Sequence, residues 1–148
     1  DLGWGALAGI GAVVAQGIVG VVVAKPDDDG YREAVFGTSP GVAMLVVMSF
    51  AVVIGAPLFE ELLFRGPIMK SLVERFGAIA GVVMQGAVFA LYHVVGDPRL
   101  ATLWYLAPLF VVGIIFGAVA QRTGRMATSQ IAHAVMNLIA FVALVATL

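Results

Sequence analysis

The chain has 148 residues, of which 61% are hydrophobic and only 11% charged, with a net charge of −1. Soluble domains carry about 25% charged residues, so a water-solvated globule is excluded, and no basic stripe is present to bind nucleic acid. There is no cysteine, which removes thiol catalysis, disulfides and thiolate metal sites.

Runs of about 20 apolar residues read as membrane helices. In chain order they are residues 2–24, 41–59, 77–95, 102–120 and 126–148. Five such spans leave no room for a soluble domain. The expectation is an all-α polytopic transmembrane bundle forming one membrane-embedded domain over residues 1–148, because helices satisfy their own backbone groups in lipid. The first run lacks the basic start of a signal peptide and reads as a span. The chain begins at Asp1 rather than Met, as expected of a part excised from a longer protein.

In the first span, Gly5 and Gly9 are four residues apart, a spacing that lets helices approach closely. Residues 25–40 form a polar loop, and its Asp27-Asp28-Asp29 reads as a solvated acidic run. The next helix should continue past Phe59 to about Arg75. Pro57 and Gly66-Pro67 are its kink points, and each proline leaves one carbonyl without its helical donor. Residues 75–77, 96–101 and 121–125 read as turns, with Gly124 suited to end a helix. Gly113 and Gly117 repeat the packing spacing, and Trp104-Tyr105 stand where interfacial aromatics do. The positive charges divide into Lys70, Arg75, Arg122 and Arg125 on one face and Lys25, Arg32 and Arg99 on the other. The more positive face is expected in the cytoplasm.

The chemistry resides in a few polar residues within these spans. Glu60 and Glu61 stand together in the apolar segment Pro57-Leu58-Phe59-Glu60-Glu61-Leu62-Leu63-Phe64-Arg65-Gly66, and ionisable groups in such segments mark function by default. Glu61 and Arg65 share a helix face at i, i+4 and can pair. Glu60 points about 100° away, on a stripe of Ala56, Phe64 and Pro67 with no cation. A carboxyl group without a partner in a dry site is suited to take a proton from water. The competing structural reading is that both glutamates pair with arginines or cap kinked backbone. The two histidines, His93 and His133, weigh against it. Measured from a turn near Phe76, Glu60 and His93 lie at similar depth on the two arms of a helical hairpin. Ser129, Gln130, His133 and Asn137 form a polar stripe on the last helix. The stripe turns apolar at Ala140, Phe141 and Leu144, as a water-filled cavity with a floor would require.

Several other catalytic constellations are absent. There is no His-Glu-x-x-His helix, no cysteine, no Gly-x-Ser-Gly near a histidine and no pair of membrane aspartates, since Asp97 stands alone in a turn. Glu60-Glu61-x-x-x-Arg65, Phe89-x-x-x-His93 and His133-x-x-x-Asn137, in that order on separate hydrophobic helices, resemble the three motifs of the CPBP family. That family includes type II CAAX prenyl endopeptidases and bacterial intramembrane proteases of the abortive-infection type. The likeness runs from about residue 41 to 148 and takes in Gln121-Arg122-Thr123-Gly124, while residues 2–24 add no motif. Family members usually carry more helices, so further N-terminal spans are expected.

The resemblance implies an intramembrane endopeptidase that cuts a membrane-associated protein or peptide within the lipid bilayer of a bacterial cell membrane. Glu60 and His93 would activate water, and His133 and Asn137 would stabilise the oxyanion. Glu61 and Arg65 would support the site, and no cofactor is expected. The alternative is zinc bound through Glu60, His93 and His133, in keeping with an older description of the family as metalloproteases. Zinc would take Glu60 as a ligand and leave only Glu61, already paired, as base. A non-catalytic membrane binding protein, such as a bacteriocin-immunity factor, is the alternative of another class. An ion or proton pathway would need polar residues along a complete path, which the last helix does not offer.

Overall fold

The computed structural model describes residues 1–23, 40–95 and 102–146. Asp27-Asp28-Asp29, Lys25, Arg32, Arg99 and Asp97 lie outside the described residues. Every element among those described is helical. Helix α1 spans Leu2–Val23. A long bent helix, Val42–Phe76, contains α2 (Val42–Phe50), α3 (Ala56–Leu63) and α4 (Met69–Phe76). Then come α5 (Ala78–Tyr92), α6 (Leu103–Thr123) and α7 (Met126–Val145). Among the described residues, four helices are long and apolar enough to cross a membrane: α1, the bent helix, α6 and α7.

The expected span at residues 77–95 is shorter than its sequence suggests. Helix α5 has 15 residues, about 22 Å at 1.5 Å per residue, against a hydrocarbon core of about 30 Å. It tightens at its end, where the His93 and Val94 amides bond back three residues to Ala90 and Leu91. The apolar run thus continues past the helix. Its start is set by Gly77 at φ 83°, a left-handed conformation that glycine adopts without a Cβ clash. The turn between α6 and α7 uses Gly124 in the same way, at φ 63°.

The bent helix changes register at both of its proline sites. Wide π-helical turns occupy Ala51–Gly55, just before Pro57, and Phe64–Ile68, around Gly66-Pro67. Proline offers no N–H and its ring crowds the preceding turn, so the chain makes room by inserting a residue. Gly66 leaves helical geometry at ψ −112°, in line with the bias against α conformation before proline. The two π turns bracket α3, the octet that carries both glutamates.

Packing depends on close backbone approach. A Cβ on Gly5 would lie 2.6 Å from Ile131 Cγ2, and one on Gly9 would lie 2.5 Å from the Ala132 carbonyl oxygen. Side chains larger than hydrogen would therefore push α1 off α7. Gly113 meets Gly86 across α5 and α6 in the same manner. The Asp1 carboxylate adds a polar tie: it accepts from the Thr128 hydroxyl at 3.1 Å and pairs with Arg125 at 2.9 Å.

The distribution of polarity is that of a protein solvated by lipid. Large apolar side chains such as Trp4, Val21, Phe59 and Ile79 face outward, while Glu61, Arg65, Gln85, Thr128, Ser129 and His133 are buried. Phe64, Phe89, Val112, Phe116, Ala132, Met136 and Ala12 of α1 make one apolar cluster, so the first helix contributes to the same core as the motif-bearing ones.

Candidate active site

The site begins with the two adjacent carboxylates of α3. A step of one residue turns a helix by about 100°, and the two side chains meet different surroundings as a result. Glu61 is fully buried and its Oε2 stands 3.1 Å from Arg65 Nε. The Arg65 guanidinium lies over the rings of Phe89 and Phe116, 5.1 and 5.5 Å from their centroids. Its Nη2 donates to the Gly113 carbonyl at 3.3 Å. The local pair read from the i, i+4 spacing is therefore present, held inside an aromatic cage.

Glu60 has no such partner. Its Oε2 is buried without a hydrogen bond and lies 3.9 Å from His93 Nε2 and 3.8 Å from His133 Nε2. Glu60, His93 and His133 thus converge from α3, the end of α5 and α7. The side chains of Glu60 and His93 remain 18% and 23% exposed, whereas Glu61 has no exposure. Only the first glutamate is reachable by water or a substrate.

Backbone and carboxylate partners fix the imidazoles. His93 donates from Nδ1 to the Phe89 carbonyl at 2.8 Å. His133 donates from Nδ1 to Glu61 Oε1 at 3.0 Å, a contact the sequence did not reveal. A carbonyl, or a carboxylate already paired with arginine, can only accept, so each Nδ1 carries a proton. In a neutral ring the Nε2 lone pair is then turned toward Glu60, and in a protonated ring the Nε2–H is. Phe89 packs on both imidazoles, with centroids 4.7 Å from His93 and 6.0 Å from His133, and Phe116 lies 4.9 Å from His133.

Asn137 stands one turn beyond His133. Its Nδ2 donates to the Val52 carbonyl at 2.9 Å, so one of its two N–H groups is engaged with the bent helix. The rest of the polar stripe divides. Ser129 is buried and donates to Met126 O at 2.9 Å. Gln130 instead lines a groove of about 230 Å³ with Val53, Ile54, Pro57, Leu58, Ile131 and Ala134. Residues missed in the sequence are Phe116 and Gly113, which hold Arg65, and Val52, which receives Asn137. Gln85 is also fully buried, packed against Gly117, and its amide atoms lack hydrogen-bond partners.

Glu60, His93 and His133 have the donor chemistry of a zinc set. Among the described residues, however, no group of three His, Cys, Asp or Glu side chains is spaced to hold a metal ion.

No curated protein and no solved structure matches this chain. The sequence model of the Rce1-like type II CAAX prenyl endopeptidases matches residues 42–139. That stretch begins at α2, ends just past Asn137 and holds all of the converging side chains, while α1 lies outside it. The chain is an integral membrane protein and belongs to the Rce1-like type II CAAX prenyl endopeptidase family of intramembrane proteases.

Proposed function

We propose that this protein is a glutamate-type intramembrane endopeptidase in which Glu60 is the general base. The observation that carries the reading is the buried, unpartnered Glu60 Oε2, set 3.8–3.9 Å from two imidazole nitrogens. A polar gap longer than 3.5 Å suits a bridging water. Such a water would give one proton to Glu60 and direct the other to His93 Nε2. Its oxygen attacks the peptide carbonyl carbon as Glu60 takes the proton. The tetrahedral intermediate carries its charge on the former carbonyl oxygen. His133, in its protonated form, donates to that oxyanion from Nε2 while Glu61 holds Nδ1. The second N–H of Asn137 is the other donor. When the C–N bond breaks, the proton on Glu60 passes to the leaving amine. Glu61 and Arg65 position His133 and α3.

No metal takes part in these steps. The substrate is a membrane-associated peptide or small membrane protein, and the glycine- and alanine-rich composition favours a bacterial cell membrane. The test is cleavage of a membrane-peptide library by the purified protein in detergent, with and without a chelator. We expect hydrolysis that chelator leaves unchanged. Activity lost with chelator and restored by zinc would move Glu60, His93 and His133 into ligand roles. Peptide binding without cleavage would favour the non-catalytic binding protein.

A further inference from the structure

We infer that Asn137 is also a positioning residue, which holds open the π turn that aims Glu60 at the histidines. The inference rests on Glu60 being the base, and it concerns how Glu60 is placed. It starts from the carbonyl that Asn137 touches. In an α-helix the Val52 carbonyl would receive the N–H of residue 56, and in a π-helix that of residue 57. The Ala56 N–H goes instead to Ala51 O, and residue 57 is proline. Val52 has lost both of its helical donors for covalent and geometric reasons. The Asn137 amide, 85 residues later, replaces them at 2.9 Å.

That replacement has a geometric consequence for the site. One inserted residue turns everything after it by about 100° relative to what came before. Glu60 and Glu61 are separated by the same angle. If the turn relaxed to α register, with α2 keeping its outward face, the direction now occupied by one glutamate would pass to its neighbour. The π turn thus decides which carboxylate faces His93 and His133. Asn137 stabilises that register, because a carbonyl left bare inside an apolar bundle is costly. The pairing also puts α7, which carries His133, in fixed relation to the helix that carries Glu60.

A double-mutant cycle between Asn137→Ala and Pro57→Ala tests this. Pro57→Ala returns an N–H that can reach Val52, so Asn137 loses its positioning task while keeping any direct contact with substrate. Both thermal midpoint and turnover are measured in the purified, detergent-solubilised protein. In the parent, Asn137→Ala should lower the midpoint by roughly 3 °C or more. It should lower kcat by about tenfold to a hundredfold, with little change in KM. In the Pro57→Ala background the midpoint loss should largely vanish and the kcat loss should shrink at least about threefold. Equal losses in both backgrounds would overturn the inference and leave Asn137 with only the oxyanion role. The midpoint cycle needs no activity. It therefore decides the matter if Pro57→Ala is itself inactive, and it separates failure of the clamp from failure of the Glu60 assignment.

Discussion

Glu61 is sealed between Arg65 and His133, while Glu60 Oε2 has only imidazole nitrogens beyond hydrogen-bond distance. Breaking a buried ion pair by removing one charge costs about 3–5 kcal/mol, since the other charge is left uncompensated. Glu61→Gln should therefore lower the unfolding midpoint or the yield of folded protein, and loss of activity should follow loss of fold. Circular dichroism during heating checks it, and an unchanged midpoint would mean that Arg65 finds another partner. His93 makes a different prediction. Its ring is part-exposed and bonded to backbone only through Nδ1, so His93→Ala should leave the midpoint nearly unchanged. Turnover should fall about 10²–10⁴-fold, the range of a positioned acid–base group. Comparable turnover in the variant, measured on the same peptide, would remove His93 from the reaction.

At the scale of elements, the glycines set how closely the helices approach. Gly9→Leu would drive a side chain into the Ala132 carbonyl and Val135, whereas Gly11 has nothing within 4 Å of its added Cβ. Overpacking costs about 1–3 kcal/mol, so Gly9→Leu should lower the midpoint and Gly11→Leu should not. Equal behaviour of the two variants would contradict the packing of α1 on α7. The Gly5/Gly9 spacing was readable as a packing motif, but the helix it would meet was not, because small residues mark closeness without naming a partner. Pro57 offered a similar half-clue. Its chemistry announces an orphaned carbonyl, and only the fold shows that Asn137 answers it. The length of α5 was hidden for another reason: the residues after His93 remain apolar, so hydropathy continues where the helix stops.

At the scale of the whole molecule, lipid as solvent inverts the usual arrangement, with charge inside and aliphatic surface outside. That inversion made the class legible from composition, and the similar depth of Glu60 and His93 was legible from their distances along the chain to Phe76. The contact of His133 with Glu61 was not legible. Helix order and spacing give the face of a residue but not which of two adjacent carboxylates it meets, and the π turn at Ala51–Gly55 that precedes them has no simple signature in the sequence. In the proposed mechanism Glu60 takes the proton from the attacking water. The most direct measurement compares peptide-bond cleavage by purified parent and Glu60→Gln, with folding of both verified by their thermal midpoints. Glu60→Gln should retain the parent's fold and lose turnover by about 10³-fold or more, as removal of an essential base within a concerted site does. A folded Glu60→Gln that cleaves at a rate close to the parent's would contradict it.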